Sequence, residues 1–200
     1  MRGSSALIFI AGFVCGALCV ALLERQAKVQ AQPAQTAYTG RAASAGSLPD
    51  RPPMHGSGTR LIIPVEGIHA ADLRDNFNDV RASHRHEALD IMAPRGTRVL
   101  AAGAGRIEKL FLSKPGGLTV YEFDDSRTYC YYYAHLDAYA PGLKEGALVQ
   151  QGDVLAYVGS TGDASPDAPH LHFAIFKLGP EKRWWQGTAI DPYTFLTRAQ

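Results

Sequence analysis

Hydrophobic positions in this chain form one long run near the start and a series of short runs after residue 60. Residues 6–23 are all apolar or glycine. As a helix this run is about 27 Å long, enough to cross a bilayer core. Residues 61–65, Leu-Ile-Ile-Pro-Val, predict an entering strand near a sheet edge, because Pro64 has no N–H for a ladder. A turn or short helix is expected over 72–78 and a short strand over 99–102. Gly103 and Gly105 bracket a bend that leads into extended chain over 106–112. Lys114-Pro115-Gly116-Gly117 is a strong turn signal. Residues 118–123 and 127–133 predict a hairpin about Asp124-Asp125-Ser126, and 154–158 and 171–176 predict further strands. Short strands between Gly, Pro and Asp turns, with no long amphipathic helix after the first segment, indicate an all-β domain. Gly96-Thr97-Arg98-Val99 and Gly146-Ala147-Leu148-Val149 resemble each other and suggest two similar hairpin units.

Three parts follow from this pattern: residues 1–25 as a signal-anchor helix or a signal peptide, 26–59 as a flexible tether, and 60–197 as the folded domain. Arg2 precedes the apolar run, and Glu24, Arg25 and Lys28 follow it. A membrane anchor and a cleaved signal, with Val29-Gln30-Ala31 as a small-residue site, both fit. The tether is rich in Ala, Gln, Ser, Gly and Pro and keeps no regular period. The whole chain has 200 residues, of which 46% are hydrophobic and 20% charged, which suits a packed domain. The formal net charge of +1 gives no basis for nucleic-acid binding. Of the three cysteines, Cys15 and Cys19 lie in the apolar run and only Cys130 in the body, so the body cannot hold an internal disulfide. Cys130 stands among tyrosines on an expected strand and reads as a buried, inert thiol.

Candidate chemistry lies in the histidines. Of seven, five fall in three places: His84 and His86 near Asp90, His135, and the pair His170 and His172. Residues two apart on a strand face the same way, so His170 and His172 project to one side while Leu171 and Phe173 face a core. Parallel imidazoles pack poorly but suit a metal site with a neighbouring proton-transfer group. His86 and Asp90 are four residues apart, and imidazole and carboxylate are both proper zinc ligands. One histidine of the late pair completes three protein ligands and leaves a fourth position for water, which zinc acidifies for attack on a carbonyl. A structural metal site or a plain polar cluster is the alternative at this level.

The segment 77–173 resembles the lysostaphin and LytM type of zinc metallopeptidase, and the resemblance extends over about 60–197. It rests on His86-Glu87-Ala88-Leu89-Asp90-Ile91, Ala93-Pro94-Arg95-Gly96-Thr97-Arg98-Val99, Tyr133-Ala134-His135-Leu136, Gly159-Ser160-Thr161-Gly162, His170-Leu171-His172-Phe173 and Ile190-Asp191-Pro192. It implies a compact antiparallel β-sheet domain with a substrate groove. It also implies Zn2+ held by His86, Asp90 and His172, with His135 and His170 as catalytic histidines that do not ligate. The implied activity is hydrolysis of peptide cross-links or stem-peptide bonds of peptidoglycan in the cell envelope. Some relatives have lost ligands and instead activate other wall hydrolases; here all five side chains remain. Ala88 stands where the family commonly has glycine. The change is harmless if its backbone is ordinary and strains the ligand pair if φ is positive. Asn78 and Arg81 are candidates to line the groove. One of Trp184 and Trp185 is expected to pack on the core, leaving the other for sugar or peptide.

Overall fold

Strand β10 (His170–Leu178) shows how this sequence makes a sheet with two working faces. Leu171, Phe173 and Ile175 alternate onto one side and are almost wholly buried. Each contributes about 1.5–3 kcal/mol by leaving water. His170 and His172 point the other way. On that core side β10 meets Tyr131 and Tyr133 from β7 (Tyr129–Tyr139), Val120 from β6 (Gly117–Asp124) and Ile107 from β5 (Gly105–Ser113).

The protein is described from a computed structural model, which covers residues 60–81 and 84–197. Among these, strands run in the order β11-β10-β7-β6-β5-β8, with β8 at Leu148–Val149 and β11 at Gly187–Ile190. Strand β3 (Leu89–Met92) pairs with β10. Strand β9 (Val154–Val158) pairs with β4 (Arg98–Leu100) and β7. Every pairing is antiparallel. A separate two-stranded ribbon joins β1 (Val80–Arg81) to β2 (His84–Arg85). A short helix α1 (Pro192–Thr197) ends the described chain and buries Leu196 in the core.

The all-β expectation therefore holds for the described residues, including the hairpin at Asp124. The turn expected over 72–78 is present: a 3-10 turn at Ala70–Asp72 ends there, and Phe77 and Asn78 form a second turn in which the Asp79 amide donates to the Asn76 carbonyl. Two local expectations change. Residues 61–65 run extended beside β4, with Ile62 N–H donating to the Ala102 carbonyl and a single bridge from Val65 to Val99, but form no strand. The two look-alike segments are not hairpin units: each follows a left-handed glycine, Gly96 or Gly146, but β4 pairs with β9 and β8 with β5. The expected anchor or signal and the tether lie outside the described residues. Among the described residues no helix is long and apolar enough to cross a membrane.

Candidate metal centre

Strand register brings two of the expected ligands together. Leu171 pairs with Ile91 and His172 with Asp90, so His172 and Asp90 are direct cross-strand neighbours on the face opposite the core. A slip of one residue would turn both away. His86 precedes β3 and reaches the same point through a backbone turn at Glu87, whose φ is 54°. Its amide donates to the Asp79 carbonyl and that of Glu87 to the Phe77 carbonyl. The left-handed residue is thus Glu87. Ala88 has an ordinary φ and is fully buried, so its methyl group is accommodated without strain on the ligands.

His86 Nε2, His172 Nδ1 and Asp90 Oδ1 form a near-regular triangle with sides of 2.9, 3.1 and 3.1 Å. Donors about 2.0–2.1 Å from a tetrahedral zinc stand about 3.3 Å apart, so the three atoms fit one ion with little movement. A proton can join two of these acceptors, whereas a divalent cation is held by all three. Among the described residues these three side chains form the cluster suited to a metal, and the donor set is that of a single Zn2+ site.

Neighbouring groups orient each ligand. His86 Nδ1–H donates to the Asn76 carbonyl at 3.0 Å, which leaves Nε2 with its lone pair toward the triangle. The Asn76 side chain accepts from the Asp90 amide at 3.2 Å, so one residue braces two ligands. Arg81 Nη2 donates to Asp90 Oδ2 at 2.6 Å, leaving Oδ1 for single-point ligation. Burial pushes the Asp90 carboxyl upward, but the close approach of the His172 and His86 ring nitrogens outweighs it. The group is held well below the usual carboxylate range. Burial lowers His172, only partly offset by Asp90, which keeps its ring neutral and able to ligate.

His135 and His170 stand beside the triangle. Their rings are 5.0 Å apart, and that of His135 lies 5.5 Å from His172. His135 Nδ1–H donates to the Thr161 carbonyl and His170 Nδ1–H to the Ala168 carbonyl, both at 2.8 Å. Each ring thereby carries its free lone pair on Nε2, and that of His170 is 3.7 Å from Asp90 Oδ1. Burial holds His135 below the ordinary histidine value, against a smaller upward pull from the Thr161 carbonyl. The backbone of His135 is left-handed, with φ 59°, an unusual geometry for a residue with a side chain. Two interlocked turns hold it. Its amide donates to the Gly116 carbonyl, and Thr161 Oγ accepts from Leu118 N–H while donating to the Leu136 carbonyl. A Cβ on Gly117 would lie 2.2 Å from Thr161 Oγ, and one on Gly162 would lie 2.2 Å from the Pro115 carbonyl. The Gly159–Gly162 motif thus serves close packing that aims His135.

The five expected site side chains are therefore brought together. Asn76, Thr161 and Ala168 were not anticipated as supports; each supplies a backbone carbonyl, which has no residue signature, and Ala168 acts through its carbonyl alone. Asn78 Oδ1 accepts from Arg85 Nη1 at 3.1 Å. His69 belongs to the 3-10 turn and the side chain of His84 is outside the described residues. Cys130 is buried, and burial pushes its thiol far up, as expected of an inert cysteine.

Comparison with known proteins agrees with this geometry. An L-Ala–D-Glu endopeptidase of Bacillus subtilis is 34% identical over 116 residues, covering 56% of this chain and 34% of that protein. Peptidoglycan DD-endopeptidase ShyC of Vibrio cholerae is 36% identical over 97 residues, covering 48% of this chain and 21% of that protein. The chain thus spans about a third of the length of the first of these relatives and about a fifth of the second. The solved structure of the antimicrobial peptidase lysostaphin from Staphylococcus simulans matches with a TM-score of 0.53 and 28% identity, over 62% of this chain and 48% of that one. The family model for Peptidase family M23 matches residues 84–192, more than half of the chain and all five of these site residues, and the chain belongs to that family.

Proposed function

We propose that residues 60–197 form a zinc-dependent endopeptidase domain that hydrolyses peptide cross-links or stem-peptide bonds of peptidoglycan. The observation that carries this reading is the triangle of His86, Asp90 and His172 with two further imidazoles presenting Nε2 beside it. The names of the two endopeptidase relatives support the substrate class. Zinc in such a donor set supplies Lewis acidity toward a carbonyl and makes a water nucleophilic near neutral pH. The protein's own residues do the rest. His86, Asp90 and His172 hold the ion. His135, kept neutral by burial, takes the proton of the attacking water at Nε2. The proton that His135 takes at Nε2 then passes to the departing amine, while His170, whose Nε2 also carries a lone pair beside the triangle, steers the attacking water. Domain 1–25 as anchor or signal, 26–59 as tether, and placement of the domain on the outer side of the inner membrane complete the reading.

Release of dye-labelled fragments from purified wall material, with and without a chelator, tests it. Chelator-sensitive release restored by Zn2+ is expected, and mass analysis of products from a defined cross-linked muropeptide identifies the bond. A zinc-loaded protein that releases nothing would remove the enzyme reading and leave a silent domain that acts on another hydrolase.

A further inference from the structure

The face of the sheet that bears the metal ligands also carries an aromatic run unused by ligation or proton transfer. Tyr132 pairs with Ala174 on β10 and with Tyr121 on β6, so these positions share the face of His172. The Tyr132 ring lies 6.0 Å from His172, Tyr121 lies 4.6 Å from Tyr132, and Trp184 lies 4.7 Å from Tyr121. Trp185 follows, edge-on to Trp184 at 5.2 Å, and Phe111 flanks Trp184 at 5.4 Å. Trp184 belongs to the loop between β10 and β11 and is packed down with Phe123, Cys130 and Leu178. Trp185 is not packed: 62% of it is exposed, and Phe111 beside the pair is 39% exposed.

A large indole held by a half-buried neighbour yet left in water adds little to folding and offers a rigid apolar plate. Glu181, Lys182 and Arg183 precede it, so the apolar patch is only a ring or two wide, well short of a protein interface. In the same loop Lys182, Arg183 and Gln186 offer hydrogen-bonding groups, with Arg183 paired to Glu181. We infer that Trp185, backed by Trp184 and Phe111, is a stacking subsite for the pyranose rings of the glycan that carries the cleaved peptide. The sugar's C–H face lies on the indole, and its hydroxyl and N-acetyl groups meet the polar side chains of the same loop. Reach agrees with this. The four ring-to-ring steps keep Trp185 within about 20 Å of His172, and extended peptide covers about 3.3 Å per residue, so a stem of four to six residues joins the two places.

This subsite rests on the peptidoglycan reading above, and its test separates the two. The full-length zinc-loaded protein and its Trp185→Ala and Trp185→Phe variants are assayed on a glycan-free cross-linked peptide and on the same peptide attached to its sugars. Trp185→Ala is expected to leave the free peptide within about twofold and to lower kcat/KM on the glycan-bearing one about tenfold, through KM, with Trp185→Phe retaining most of it. Titration with a peptide-free N-acetylhexosamine oligomer is expected to change indole fluorescence only when Trp185 is present. Equal loss on both substrates, no sugar response, or binding of phospholipid vesicles in place of sugar would overturn the subsite and leave the endopeptidase standing. Sugar binding through Trp185 in a protein that cleaves neither peptide would support the subsite and overturn the endopeptidase.

Discussion

Asp90 and Glu122 are both carboxyl groups withdrawn from water on the same sheet, Asp90 on the metal-binding face and Glu122 on the core face. Asp90 receives Arg81 on one oxygen and faces two imidazoles with the other. These partners overcome the cost of burial, and the group stays an anion. Glu122 is fully buried with much less help. Tyr133 donates to Oε2 at 2.6 Å and itself accepts from the Ala102 amide, while Oε1 has no partner. Burial pushes this carboxyl up to about 8, the Tyr133 bond opposes it, and the charges of Asp124, Asp125 and Asp153 add to the rise. Gly105 packs so close that a Cβ there would lie 2.8 Å from Oε1. The difference teaches that burial alone makes a neutral acid, whereas burial among converging donors makes a ligand.

The comparison breaks most sharply at Asp90. Asp90→Asn removes the anion but keeps the shape, and should abolish stoichiometric zinc and lower turnover at least about a thousandfold. Metal analysis beside circular dichroism checks this; a folded variant with full zinc would refute the assignment. His135→Ala probes a neighbour outside the triangle. It should retain zinc and lose about 10²–10⁴ in turnover, so normal turnover would remove His135 from proton transfer.

Arg81→Ala tests whether the outer oxygen of Asp90 needs its guanidinium. Zinc affinity should fall about 10–100-fold in chelator competition, with the fold unchanged; unaltered affinity would show that Asp90 needs no such brace. Glu122 gives the gentlest effect. Its native pKa is raised to about 8 from an ordinary value near 4.5, so between these values the native state binds the proton that the unfolded state releases. Its contribution to stability is fully present below about 4.5 and lost as pH rises toward 8, by at most about 1.4 kcal/mol per pH unit. Denaturant titrations of the metal-free protein should show this slope flattened in Glu122→Gln; parallel slopes would mean that Glu122 is ionised in the fold.

Much of this was readable in the chain because strand periodicity is local. Leu171 and Phe173 facing the core required His170 and His172 to face away, and the Asp124 turn and its two strands were visible in the same manner. Strands β3 and β11 were missed because they are only four residues long and exist by pairing with β10. Asn76, Thr161 and Ala168 were missed because what they give the site includes carbonyl oxygens that every residue has.

By itself the sequence determined which side chains were available for the chemistry and which local face each strand histidine would take, because residue type and a two-residue repeat need only neighbouring atoms. Only the tertiary structure decided that His86 and His172, 86 positions apart, present nitrogens 3.1 Å from each other, and that Glu122 is sealed off while Asp90 is partnered. Such distances and surroundings arise from strand register and from turns that lock together, and these are set by contacts between segments far apart in the chain.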